Sequence, residues 1–169
     1  MAIVQASDFQ GKGEYRIAQN CFSDFAPYIE KYEKKYLLQL LGAELYGLFI
    51  ADLTPTTPQI PQTARFIQIF DPFDIDDNDC IYSSEGMKTM LMQFIYFHIM
   101  RDNPNIKTVS GTVRMQNENS SDPIFNGFNL VESYNEGTRN AFKIQWYIDD
   151  NRATYPEENM QIFEYLFSV

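Results

Sequence analysis

The residues whose types and spacing most resemble a chemical motif are Asp74, Asp76, Asn78 and Glu85. Counting from Asp74, side-chain oxygens fall at positions 1, 3 and 5, with Ile81 at 8 and Glu85 at 12. This is the ligand spacing of a calcium-binding EF-hand loop, where alternate oxygens face inward and a bidentate carboxylate on the exiting helix closes the shell. Two residues oppose it. Position 6 is Asp79 where the sharp turn needs Gly, and Pro72 disrupts the helix that should lead in. A solvated acidic loop before a helix N-cap is the plainer reading, with a calcium-binding helical module through 74–85 as the alternative.

Other chemistry is sparse. His98 is the only histidine and stands inside an apolar run, which is the setting of a core histidine; one histidine supports neither a His-based metal cluster nor a recognisable Ser-His-Asp set. Asp149 and Asp150 with Glu157 and Glu158 offer paired carboxylates, but at helix ends where acids face solvent. Gly11-x-Gly13 lacks the third glycine and the strand-to-helix setting of a phosphate loop. Cys21 and Cys80 show no CxxC spacing and read as idle or buried thiols. No catalytic residue, cofactor or metal is assigned from the sequence, and an enzyme is not expected.

These residues are carried by a chain of 169 residues, a length that fits one domain. Its 44% hydrophobic and 15% aromatic content suffices for one core. The net charge of -10 and pI near 4.4 argue against tight nucleic-acid binding, which needs clustered Lys and Arg to neutralise phosphates. The N-terminal MAIVQASDFQ has neither a basic region nor an apolar signal core, so secretion is not expected.

The element that must position everything else is the stretch Glu85 to Asp102. From Met87 to Met100 only Lys88, Thr89, Gln93 and His98 interrupt Met, Leu, Phe, Ile and Tyr, so apolar groups point almost all round a helix. It is too short and interrupted for a membrane span, which takes about 20 apolar residues. Other segments must therefore wrap it.

Residues 1–22 read as an N-terminal arm packed on the core. A helix follows, capped by Ser23 or Asp24, with Pro27 in its first turn and Phe25, Ile29, Tyr32, Tyr36 and Leu40 on its apolar face. Glu30, Lys31, Glu33, Lys34 and Lys35 occupy the other face. Gly42 stops it, and a shorter helix from Ala43 to about Asp52 buries Leu45, Leu48 and Phe49. Pro55, Pro58 and Pro61 make 54–62 an extended connection, and 63–70 prefers helix. Ser83 or Ser84 caps the central helix.

After Asp102 the chain turns polar, and Thr108–Val113 reads as a β-hairpin turning at Ser110-Gly111. An isolated two-stranded hairpin is marginal in water, so this one borrows a partner or stays mobile. Asn129 and Glu132 start a helix that runs to about Asp150, burying Leu130, Tyr134, Ala141, Ile144 and Ile148, with Gly137 admitting a close neighbour. Thr154, Pro156 and Glu157 carry the signals of a last helix over 155–169, whose apolar edge is Met160, Phe163, Leu166 and Phe167. The expected fold is a mainly α, small helical bundle around a central buried helix at 85–102, with a protruding hairpin or long loop at about 105–118.

Several ordered segments carry a resemblance. Ser7-Asp8-Phe9-x-Gly11 is followed by Tyr28-Ile29, Tyr32-Glu33, Tyr36-Leu37 and Leu40-Leu41-Gly42. Then come Ser84-Glu85-Gly86-Met87-Lys88-x-Met90-Leu91, Phe94-Ile95-Tyr96-Phe97, Arg101-Asp102, Thr108–Val113, Tyr134-Asn135-x-Gly137 and Tyr155-Pro156-Glu157. In this order they resemble tailed-phage head–tail connector (adaptor) proteins, closest to those of Bacteroidetes-infecting and crAss-like phages, over nearly the whole chain.

The resemblance implies a structural virion protein that forms a homo-oligomeric ring, a dodecamer, beneath the portal protein. It would be assembled in the bacterial host cytoplasm and located at the head–tail junction. Such a ring extends the channel through which genomic DNA passes without specific binding, and docks tail or further connector proteins; no membrane is involved. It also implies contacts with adjacent subunits through 104–128 and with the neighbouring ring through 155–169. The candidate interface residues are Thr108, Val109, Ser110, Gly111, Thr112 and Val113 of the hairpin, and Tyr155, Pro156, Phe163 and Phe167 of the C-terminal region.

Overall fold

Helix α3, Gly86–Asp102, is enclosed as its composition demands: Met87, Met90, Leu91, Phe94, Ile95 and Ile99 have no solvent exposure. The computed structural model describes residues 2–10, 17, 25–77, 80–102, 106–108, 111–113, 127–157 and 159–166. Within them the chain is mainly helical. A short 3-10 turn, Ala6–Phe9, precedes α1 (Ala26–Asp52), α2 (Ala64–Phe70) and a hairpin of β1 (Phe73–Asp77) and β2 (Cys80–Ser84). After α3 come β3 (Ile106–Thr108), β4 (Gly111–Val113) and α4 (Gly127–Asp150). The bundle around a central helix with a later hairpin is the architecture expected from sequence.

Helices α1 and α4 both pack on α3, and α2 covers part of it. The α3–α4 contact is close because Gly137 faces the Phe94 ring; a Cβ there would lie 3.1 Å from that ring's Cε1. Gly42 bends α1 with φ 73° and ψ 172°, a region essentially confined to glycine. The expected helical corner is thus present, with Leu45 and Phe49 buried beyond it, although Leu48 is 42% exposed rather than buried. Helix α1 begins at Ala26 with Phe25 at the N-cap and no side-chain cap; the expected caps, Ser23 and Asp24, lie outside the described residues. The arm expected at the N-terminus does pack on the core, where Ile3, Val4 and Phe9 are fully buried.

Two expectations are corrected. The acidic stretch is not a loop: β1 and β2 pair antiparallel, with Asp74 opposite Ser83 and Asp76 opposite Ile81. Successive strand residues alternate faces. Phe73 and Ile75 therefore go to the core while Asp74 and Asp76 stay outside.

The second correction concerns the chain after Asn151. No helix forms among the described residues of 155–166; residues 159–166 run as an irregular strap across α1 and α4. Side chains of the helices satisfy its backbone. Gln39 Nε2 donates to the Ile162 carbonyl at 3.0 Å, Gln145 Nε2 to the Gln161 carbonyl at 2.9 Å, and Asn135 exchanges two hydrogen bonds of 2.9 Å with the Leu166 backbone. Tyr155 and Phe163 are both buried.

Candidate functional site

The proposed interface residues divide sharply. Strands β3 and β4 pair Ile106 with Val113 and Thr108 with Gly111, so Gly111 belongs to a strand and not to the turn at Ser110-Gly111 expected from sequence. Val109 and Ser110 lie outside the described residues. The sheet has two strands, and among the described residues no third strand joins it. At the other end, Tyr155 is 1% and Phe163 2% exposed, so neither is a free apolar edge. The Phe163 ring lies 5.6 Å from Phe94 and 6.3 Å from Tyr36, both roughly stacked, and Tyr155 donates its hydroxyl to the Arg65 carbonyl at 2.5 Å. Pro156 is exposed, and Phe167 lies outside the described residues. What the strap leaves open is Ile162, Tyr165 and Leu166.

Aromatic side chains from α1, α3, α4 and the strap form one cluster, partly stacked and partly edge-on. Tyr36 stacks on Phe94 at 3.9 Å, Tyr32 stacks on the His98 ring at 3.6 Å, and Phe97 meets Tyr134 edge-on at 4.9 Å. Each such pair contributes about 0.5–1.5 kcal/mol beyond the area it buries. The Tyr36 hydroxyl and His98 Nε2 are 2.6 Å apart, so His98 is the core histidine its sequence setting indicates. Burial pushes its pKa down to about 3, and Arg101, Lys35 and Lys31 push the same way. The neutral ring is a packing group with one hydrogen bond, and its Nδ1 has no partner.

Glu33 was placed with the solvent-facing charges by its helical spacing, yet it is fully buried. Its Oε1 accepts the Val4 N–H at 2.6 Å while Oε2 has no hydrogen-bond partner. Burial raises the carboxyl pKa to about 7 against the weaker opposing pull of the Val4 and Ile3 amides. It fastens the N-terminal arm to α1.

The calcium reading fails on geometry. Strand pairing holds Asp74 and Asp76 on an open ribbon, Asp74 accepts the Ser83 hydroxyl at 2.6 Å, and Glu85 is engaged by Gln93 at 3.1 Å. Asn78 lies outside the described residues, among which no group of three or more His, Cys, Asp or Glu is placed to hold a metal ion. The Asp149 and Glu157 carboxylates each go to their own arginine, Arg152 and Arg65, instead of to one another; Glu158 is outside the described residues. Cys80 is an exposed free thiol.

Spacing did not reveal a cation cluster where α1 passes the end of α3. Lys31, Lys34 and Lys35 share one face of α1, and Arg101 comes from α3. Burial lowers the Lys35 pKa, and Arg101 and Lys31 push the same way. The lysines at i and i+4 were legible; their meeting with Arg101 depends on tertiary packing.

No described helix is long and apolar enough to cross a membrane. Comparison with known protein families, curated proteins and solved structures finds no match to this chain.

Proposed function

We propose that the protein is a structural subunit of a head–tail connector ring, without a catalytic role, that sits under the portal and extends the DNA channel. The observation that carries this reading is the two-stranded hairpin between α3 and α4, whose outer strand edges have no further strand to pair with among the described residues. Such a hairpin is marginal alone and gains from a strand or surface supplied by a neighbour. The ordered likeness of the sequence to connector proteins supports the same conclusion. So does the net charge of -10, since a channel wall must pass DNA without holding its phosphates.

The test is the mass of the assembly, measured by native mass spectrometry and light scattering with and without the portal. A ring of about twelve copies is expected. A chain that stays monomeric over the full concentration range, even with portal present, overturns the proposal.

A further inference from the structure

We infer that successive copies of this chain join head to tail, the acidic outer face of the β1–β2 ribbon of one copy docking on the Lys31–Lys35–Arg101 end of the next. The inference rests on the ring reading above and names the surfaces that make the ring.

The ribbon's outer face follows from its register. Residues opposite one another in an antiparallel pair share a face. Asp74 and Ser83, with Asp76 and Ile81, therefore look outward together, and Ile81 is 72% exposed. The receiving surface is a cleft of about 220 Å³ lined by Pro27, Tyr28, Lys31, Tyr32 and Asp102. Lys31 lies over the Tyr32 ring at 5.0 Å, Lys35 over Tyr36 at 4.8 Å and Arg101 over Phe97 at 5.5 Å. Arg101 is tied to Asp102, while Lys31, Lys34 and Lys35 form no ion pair among the described residues. Glu30, one turn before Lys34, is the exposed acid on this stretch of α1, Glu33 being buried. The ribbon thus offers Asp74 and Asp76 beside exposed Ile81, with Lys143 donating to the Ser83 carbonyl at its margin, and the α1 end offers four cations against Glu30 and Asp102 beside exposed Pro27 and half-buried Tyr28.

Placement makes the pairing intermolecular. The ribbon precedes the first residue of α3 and Arg101 stands in its last turn, so a 17-residue helix, about 25 Å long, separates the two surfaces. That is about three Debye lengths at physiological salt, so neither patch neutralises the other within one chain. Complementary patches on different parts of a subunit give a heterologous contact, which closes into a ring when its rotation allows.

The experiment uses two double variants of the full chain, Lys31→Glu with Lys35→Glu and Asp74→Lys with Asp76→Lys, each checked by circular dichroism for wild-type folding. They are compared by mass under the conditions, portal included, in which the wild type assembles. Each variant alone is expected to remain monomeric. An equimolar mixture, in which intact ribbons meet intact ends and reversed ribbons meet reversed ends in alternation, is expected to regain assembly as alternating copies that half-molar salt dissociates. Variants that assemble like the wild type overturn this interface and leave the ring reading intact, whereas a wild type that never assembles removes both. Binding of a short DNA duplex that is lost in the lysine variant, with assembly unchanged, overturns it in favour of a nucleic-acid contact.

Discussion

Glu33 Oε1 and the Val4 amide nitrogen are 2.6 Å apart in the interior, joining the N-terminal arm to a helix 29 residues further on. The carboxyl's second oxygen has no partner, so its charged form is poorly compensated. Its pKa rises from 4.5 to about 7 on folding, which makes the folded state hold its proton more tightly than the unfolded chain. The associated stability is complete below about pH 4.5 and is lost as pH rises through 7. Glu33→Gln keeps an oxygen for Val4 and removes the titration. Thermal melts should show the variant about 1–3 kcal/mol more stable than the wild type at pH 8 and nearly equal at pH 4.5. Parallel pH profiles would refute the assignment.

His98 titrates in the opposite sense. Its pKa falls from 6.5 to about 3 in the core, so its contribution is complete above pH 6.5 and is lost as pH drops toward 3. His98→Phe retains a ring against Tyr32, and Tyr36 can still share its hydrogen bond with Tyr134. In a Glu33→Gln background the acid limb between pH 6.5 and 4 should flatten when His98 is replaced. Persistence of that limb would place the responsible group elsewhere.

Two glycines of α1 should respond oppositely to alanine. At Gly42 the backbone has φ 73° and an added Cβ would overlap the Asn159 carbonyl, so Gly42→Ala should cost roughly 2–4 kcal/mol in urea unfolding. At Gly47 nothing lies within 4 Å, and Gly47→Ala should add up to about 1 kcal/mol. Equal effects at the two positions would contradict the bend.

The strap gives an equally direct contrast. Phe163 is 2% exposed and Ile162 81%. Phe163→Ala should cost about 3–5 kcal/mol, and Ile162→Ala should change the stability of the monomer by less than about 0.5. Two small, similar effects would return Phe163 to the surface.

Much of this arrangement was legible because it is local. The nearly all-round apolar run in α3, the 3.6-residue stripe through Ala141, Ile144 and Ile148, and the β-branched flanks of Gly111 are each read from neighbouring residues. The acidic ribbon misled for a physical reason: ligand oxygens in a calcium loop and outward residues of a strand both recur at every second position. Phe73 and Ile75, the inward members of that alternation, were the available signal. Thr154, Pro156 and Glu157 satisfied local helix-start rules, but burial of Tyr155 and Phe163, with Gln39, Asn135 and Gln145 serving the strap backbone, prevailed. Nothing near Glu33 in sequence announces Val4 as its partner, and the cation cluster needed Arg101 brought beside α1 by packing.

The strap also sets a timetable for the chain's own manufacture. Gln39 and the Ile162 carbonyl it holds are 123 residues apart, and the Phe163 ring completes the stack begun by Tyr36 and Phe94. While the ribosome is still making the residues after α3, the stack of Tyr36 and Phe94 lacks its last ring, and it stays incomplete until residue 163 has cleared the exit tunnel.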